Sequence, residues 1–200
     1  STDTETASIL PSNHLIEAIA LAHDIGHPPF GHGGEVALNY CMREHGGFEG
    51  NAQTLRICSK LGEFSSNNGL NLTRRTLLGV IKYPAIQSVT RNPACEDNSL
   101  APINMDSYKP PKCFYDCDIE TFAFATNPFK AESDLFSEVK HSEITGKGSK
   151  HHKTKHKALD TTIMELADDI AYGVHDLEDA IALKLVDQSE WMAQIYQDNN

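Results

Sequence analysis

Four side chains that can do chemistry lie within ten residues near the start of the chain. An adjacent His23-Asp24 pair is followed by His27 and His32 in a stretch rich in Gly and Pro, and Glu35 comes soon after. Imidazole and carboxylate groups together bind divalent metals such as Mn, Fe, Co, Ni and Zn, and they serve Mg when phosphate oxygens complete the shell. The pair alone is weak evidence. Its extension into this stretch favours a metal-centred phosphate hydrolase over a chance grouping of polar residues.

The spacing suggests a role for each of these residues. His23 and Asp24 end an apolar helical run, so one helix end would supply two ligands. His27 follows His23 by one helical turn and would flank the same metal without necessarily ligating it. His32 and Glu35 share a face if their segment is helical, so Glu35 can orient His32 as an acid/base or nucleophile pair requires. On spacing alone, an ordinary first-turn carboxylate is an equally good interpretation of Glu35.

A second group lies near the other end of the chain. Asp168, Tyr172 and Asp176 are spaced by four, which places them along one side of a predicted helix. Spacing alone favours a solvated face, because this helix is acidic throughout. A metal held by only two nearby ligands needs a carboxylate from elsewhere, which favours Asp168 as a third ligand.

The net charge of -11 argues against a protein that coats nucleic acid by bulk electrostatics. An anionic substrate would therefore be neutralised locally, by a metal and a few cations. Lys82 and Tyr83 follow a predicted helix, and Lys109 and Lys112 follow the next loop. Cations at a helix end commonly pair with its dipole, and around a polyphosphate they would supply the positive charge that the chain lacks overall.

Apolar periodicity predicts the helices that position these residues, and strand signals are few, so the predicted fold class is all-α. The predicted helices cover about 13–22, 33 onward, 51–60, 73–81, 119–124, 131–139 and 161–185. A long loop is expected over about 85–111. The His- and Lys-rich tract over about 141–157 is interpreted as a solvated loop in preference to a metal site.

Size and composition are typical of one domain with a hydrophobic core, since 40% of the 200 residues are hydrophobic. No apolar run reaches the roughly 18 residues of a membrane span, and the first residues lack the basic start of a signal peptide. Five cysteines without a dense framework predict reduced thiols and a cytoplasmic protein. Cys113 and Cys117 have a spacing that fits a metal pair, but unpaired thiols are the better interpretation.

Four stretches, in this order, resemble the HD-domain deoxynucleoside triphosphate triphosphohydrolases, specifically the deoxyguanosine triphosphate triphosphohydrolase family. They are LAHDIGHPPFGHGGE (Leu21 to Glu35), GGFEGNAQTLRI (Gly46 to Ile57), GLNLTRRTLLGVIKYP (Gly69 to Pro84) and IMELADDIAYGVHDLEDAI (Ile163 to Ile181). Together they span most of the chain. This ordered set is far more specific than the His-Asp dipeptide.

The resemblance implies an all-helical HD fold and hydrolysis of a dNTP, with dGTP favoured, to the deoxynucleoside and inorganic triphosphate. Water would attack at the α-phosphorus, with a divalent metal as cofactor, either Mg or a transition metal such as Mn, Ni, Co or Fe. By resemblance, His32 with Glu35 is the catalytic pair. The metal ligands it implies are His23, Asp24 and Asp168, and its substrate contacts are His27, Asn51, Lys82, Tyr83, Lys112, Tyr172 and Asp176. Of these, Tyr172 and Asp176 would face the deoxyribose.

The chain departs from the family pattern at one metal ligand. The family has a further His upstream of the pair, whereas the earlier histidine here, His14, lies in a different context. We expect residues 1–200 to form an HD-type phosphohydrolase domain of a longer helical polypeptide, without the first-His helix and the C-terminal helices. The resemblance also implies a homo-oligomer, with single-stranded nucleic acid as a candidate effector. Two alternatives stay open: another HD nucleotidase or phosphodiesterase, and a non-catalytic regulator that binds nucleotides or single-stranded nucleic acid.

Overall fold

The computed structural model describes residues 8–95, 105–142, 150–187, 189 and 191–192. Its contacts divide the chain into two compact units, Ser1–Thr162 and Ile163–Asn200. The helices are α1 (Asn13–Ala22), α2 (Gly31–Cys41), α3 (Gly50–Arg56), α4 (Arg74–Val80), α5 (Gln87–Thr90), α6 (Ile119–Thr126), α7 (Ser133–Phe136) and α8 (Leu159–Ala182). A π-helical turn (Ile57–Leu61) continues α3, and short 3-10 turns occupy Arg43–His45, Pro93–Cys95, Met105–Tyr108, Asp116–Asp118 and Asn127–Glu132.

Helices dominate the described residues, which confirms the predicted all-α class. The strands described there are β1 (Val139–Lys140) and β2 (Lys153–Thr154), which pair antiparallel. Local capping explains where two helices begin. The Ser12 hydroxyl accepts the Leu15 N–H at 3.3 Å before α1, and the Thr73 hydroxyl accepts the Thr76 N–H at 3.2 Å before α4.

The two segments expected to be loops contain more structure than predicted. Within 85–111, α5 and two 3-10 turns form, and the Phe114 N–H donates to the Ala85 carbonyl at 3.0 Å. The Gln87 N–H returns a 2.9 Å bond to the Phe114 carbonyl, so backbone pairing holds this segment against a later part of the chain. Within 141–157, β2 pairs with β1. Residues 96–104 and 143–149 lie outside the described residues.

The core of the first unit centres on α3 and the helices around it. Ala52, Leu55 and Cys58 are buried along α3 and its π-turn. α1 packs closely on α4 at Gly79, where an added Cβ would lie 2.3 Å from Ile19 Cδ1. This packing holds the carboxyl end of α1 beside α3, and the candidate site begins there.

Nowhere in the described part of the chain does a helix combine the length and the hydrophobicity of a transmembrane segment.

Candidate functional site

The turn after α1 carries three of the predicted site residues. His23 Nδ1 lies 2.6 Å from the Ala20 carbonyl oxygen. Because a carbonyl oxygen only accepts hydrogen bonds, this contact places a proton on Nδ1. Nε2 faces Asp24, 3.4 Å from Oδ2. A backbone carbonyl that fixes the tautomer in this way is typical of histidines that bind metals.

Asp24 is flanked by imidazoles on both sides. Its Oδ1 lies 3.2 Å from His27 Nδ1, a buried atom that makes no hydrogen bond to the described residues. The contact with His23 does most to lower the pKa of Asp24, burial opposes it, and the charges of His27 and Lys82 lower the pKa further. Lys82 therefore lies near enough to act on this carboxylate, and Asp24 stays ionised.

These groups fit part of a metal shell. The Asp24 carboxylate and His23 Nε2 lie side by side, and His27 Nδ1 near them is a buried nitrogen without a hydrogen bond to the described part of the chain. Carboxylate with imidazole suits Mn, Fe, Co, Ni or Mg. Among residues 8–95, 105–142 and 150–187, no three His, Cys, Asp or Glu side chains are grouped to hold an ion by themselves. A metal bound at this turn would therefore need further ligands from other parts of the protein.

Thr54 on α3 anchors this turn. Its hydroxyl accepts the Gly26 N–H at 3.0 Å and can donate to the carbonyl of His23 or of Gly50, each at 3.1 Å. The backbones approach so closely that a Cβ on Gly26 would lie 2.1 Å from the Thr54 nitrogen. Only glycine fits at position 26. The role of Thr54 was not predictable from the sequence, since its partners on the turn are 28 and 31 residues away.

His27 is positioned by the start of α3. A Cβ on Gly50 would lie 2.7 Å from His27 Cδ2 and 2.8 Å from its Nε2, so the ring packs directly on the Gly50 backbone. Residues 26–50 therefore begin and end at the site, because Gly26 and His27 lie against Gly50. Glycines at both positions allow this contact.

The predicted catalytic pair forms on the first turn of α2. His32 Nδ1 lies 3.4 Å from Glu35 Oε2, with the histidine side chain 85% exposed and the glutamate side chain 3% exposed. Glu35 Oε1 also accepts the Gly50 N–H at 2.9 Å. Burial raises the pKa of Glu35, but the charge of Lys112, the Gly50 N–H and His32 together outweigh it and lower that pKa. Glu35 is thus a buried, ionised carboxylate, unlike the solvated first-turn residue that spacing alone allowed.

Lys112 lies beneath this pair. Its Nζ is 3.1 and 3.2 Å from the two Glu35 oxygens and 2.9 Å from Glu49 Oε1. Asn51 also joins Glu49, since its Nδ2 donates to Oε1 at 2.7 Å. Two predicted substrate contacts, Lys112 and Asn51, are therefore held by a glutamate that sequence analysis missed. The sequence clue to Glu49 is its place immediately before a helix, where Glu is uncommon.

Lys82 and Tyr83 lie just after α4, as predicted, and Lys157 Nζ sits 5.6 Å from the centre of the Tyr83 ring. On α8, in the second unit, Asp168 is half-buried while Tyr172 and Asp176 are exposed. Their approach to the turn after α1 remains a prediction from the resemblance.

The other candidate metal residues have different surroundings. All five cysteines are free. Cys113 is buried, whereas exposed Cys117 accepts a 3.0 Å contact from Arg56 Nη1. In the His- and Lys-rich tract, His151 Nδ1 accepts the Asn92 N–H at 2.9 Å, and its Nε2 donates to the Lys109 carbonyl at 3.0 Å. Both ring nitrogens of His151 are thus engaged with backbone.

Comparison with known proteins gives consistent relatives. The chain is 52% identical over 194 residues to a deoxyguanosinetriphosphate triphosphohydrolase-like protein of Vibrio parahaemolyticus, covering 94% of the chain and 43% of that protein. It is 50% identical over 196 residues to one of Pasteurella multocida, covering 94% and 42%. It is 50% identical over 193 residues to deoxyguanosinetriphosphate triphosphohydrolase-like protein 2 of Deinococcus radiodurans, covering 93% and 41%. The chain thus spans less than half the length of these relatives. No family model matches it.

Proposed function

Because the chain belongs to the deoxyguanosinetriphosphate triphosphohydrolase-like family, we propose that the protein hydrolyses deoxynucleoside triphosphates, dGTP foremost, to the deoxynucleoside and inorganic triphosphate. The observation that carries this proposal is the exposed His32 imidazole beside the buried, ionised Glu35, on the helix that follows the His23-Asp24 turn. A phosphate ester hydrolase needs such a proton-transfer group next to cationic groups that can receive an anion.

The proposed reaction breaks the bond between the α-phosphorus and the 5′ oxygen. Water attacks the phosphorus and gives up a proton as the new P–O bond forms, and the departing 5′ oxygen takes up a proton, because an alkoxide is a poor leaving group at neutral pH. Glu35 holds Nδ1 of His32, which leaves Nε2 to face the solvent-accessible side where a substrate would bind. In its protonated form His32 gives the Nε2 proton to the 5′ oxygen as a general acid. General-base and nucleophilic roles for His32 are the alternatives.

His23, Asp24 and Asp168 would hold the divalent ion, which would supply Lewis-acid polarisation of the α-phosphate. His27 and Lys82 flank Asp24 and would meet the phosphates, with Tyr83 and Lys112 nearby in the proposed site. Asn51 would line the site, and Tyr172 with Asp176 would contact the deoxyribose. The proposed protein forms a homo-oligomer, and single-stranded nucleic acid is its proposed effector. We place it in the cytoplasm, a reducing compartment that its free cysteines suit.

The test is product analysis with the full-length protein. Incubation with dGTP and Mn or Mg should release deoxyguanosine and triphosphate in equal amounts, and prior chelation should stop the release. Release of dGMP or orthophosphate would instead identify another nucleotidase or a phosphodiesterase. Saturable nucleotide binding without any product would identify a non-catalytic regulator.

A further inference from the structure

Glu49 is a wholly buried residue, and its carboxylate accepts hydrogen bonds from the first turn of α3 and from two predicted substrate contacts. Its Oε2 accepts the Ala52 N–H at 2.7 Å, which caps α3. Its Oε1 accepts from Asn51 Nδ2 at 2.7 Å and from Lys112 Nζ at 2.9 Å. One side chain therefore joins a helix cap to two predicted substrate contacts.

The length of this side chain exceeds what the cap requires. Ser, Thr, Asp and Asn are the favoured residues at this position, since their short side chains already reach the N–H groups of the first turn. The additional methylene of Glu49 brings its second oxygen to Lys112 and Asn51. The choice of glutamate is explained by these two partners, not by α3.

Lys112 shows why a second carboxylate matters. Burial disfavours its ammonium charge, but Glu49 and Glu35 outweigh burial and raise the pKa of Lys112 above its usual range. Burial also raises the pKa of Glu49, and Lys112 and the Asn51 amide oppose that rise. Two other titratable groups, Tyr115 and Cys113, face Glu49. Burial raises the pKa of each, so both stay uncharged. Lys112 is thus the cation that both buried carboxylates share.

We propose that Glu49 is a positioning residue: it shares the Lys112 ammonium with Glu35 and holds the Asn51 amide, which keeps Glu35 in place beneath His32. Without Glu49, the Lys112 ammonium loses one of its two carboxylate partners and the Asn51 amide loses its acceptor. The expected effect on turnover rests on the proposed function. The coupling between Glu49 and Lys112 does not, because it is a property of the folded chain.

Two substitutions in the full-length protein separate this role from capping. Glu49→Asp keeps the charge and caps α3 but is too short to reach Lys112, whereas Glu49→Gln keeps the length and loses the charge. Both should lower kcat for triphosphate release about 10- to 100-fold, with KM changed less than about threefold. Glu44→Gln is the matched control, since Glu44 is exposed and pairs with Arg43 at 3.6 Å. Wild-type turnover in Glu49→Asp would overturn the proposal, because capping alone would then suffice.

A thermal-stability cycle with Lys112→Met tests the coupling without any substrate. Lys112→Met leaves the Glu35 and Glu49 carboxylates without their cation, so its Tm should fall. Adding Glu49→Gln removes one of these charges, and the double variant should melt above Lys112→Met alone. If the Tm losses of Lys112→Met and Glu49→Gln add in the double variant, the proposed role of Glu49 is overturned. Absence of triphosphate from the wild-type protein would overturn the proposed function and leave this cycle intact.

Discussion

Two side chains of opposite exposure lie three positions apart on the first turn of α2. Glu35 points inward to the Gly50 N–H and Lys112, while His32 points outward and touches the Glu35 carboxylate at 3.4 Å. The carboxylate is fixed by the protein, and the imidazole stays accessible to a substrate. The proposed general-acid role of His32 requires this arrangement, in which the orienting carboxylate is fixed and the imidazole is exposed.

Replacing His32 should separate catalysis from metal binding. His32→Ala removes the proton donor for the 5′ oxygen, and we expect triphosphate release to fall by about 100-fold or more. Bound metal, measured by elemental analysis, should be unchanged, because the proposed ligands are His23, Asp24 and Asp168. His14→Ala is a suitable control, since His14 is almost fully exposed on α1. Undiminished release from His32→Ala would remove this residue from the mechanism.

Asp168 should be needed for metal occupancy. Asp168→Ala removes the third proposed ligand, so the metal content of the full-length protein should fall well below that of the wild type. Asp169→Ala is the matched control, because Asp169 is the exposed neighbouring residue on α8. Full occupancy in Asp168→Ala would refute its role as a ligand.

At the scale of elements, local sequence was enough to predict most helices. The caps at Ser12 and Thr73 lie within three residues of the N–H groups they accept, and Pro84 ends the run after α4. The His32-Glu35 contact was predictable for the same reason. The Thr54 and Lys112 contacts were not, because their partners lie 28 to 77 residues away and depend on how the helices pack.

The turn after α1 lies so close to α3 that a side chain added between them should lower the stability of the protein. An alanine Cβ at Gly26 would lie 2.1 Å from the Thr54 nitrogen and 2.5 Å from the Gly50 carbonyl oxygen, so backbone must move. We expect Gly26→Ala to lower the free energy of unfolding by about 2 kcal/mol or more in urea titrations.

Gly33→Ala provides the matched control for this measurement. A Cβ at Gly33 meets nothing within 4 Å, and Gly33 lies inside α2. Alanine there should leave stability unchanged or raise it by about 0.5 to 1 kcal/mol, because alanine favours the helix. Equal stability of the two variants would show that the backbones do not approach as described.

At the scale of the whole molecule, the five free cysteines differ in their surroundings, and this offers a test of the fold. Burial raises the pKa of Cys58 to about 11 and raises that of Cys113 well above its usual value, whereas Cys41 and Cys117 are exposed. Because the thiolate is the reactive form, a maleimide at pH 8 should label Cys41 and Cys117 in the native protein and spare Cys58 and Cys113. Mass spectrometry of digested samples gives the labelled sites.

Denaturation serves as the control for this labelling. In urea, all five cysteines should react at similar rates, since burial no longer suppresses their thiolates. Labelling of Cys58 at the rate of Cys41 in the native protein would contradict the buried position of the π-turn after α3.

The hydrogen bond between Thr54 and Gly26 also constrains how the family can change over time. A larger residue at position 26 would require α3 to retreat, and loss of the hydroxyl at position 54 would leave the Gly26 N–H without its acceptor. Neither position can be substituted freely while the other stays as it is. Across related sequences, we therefore expect positions 26 and 54 to be invariant together or to change in the same lineages.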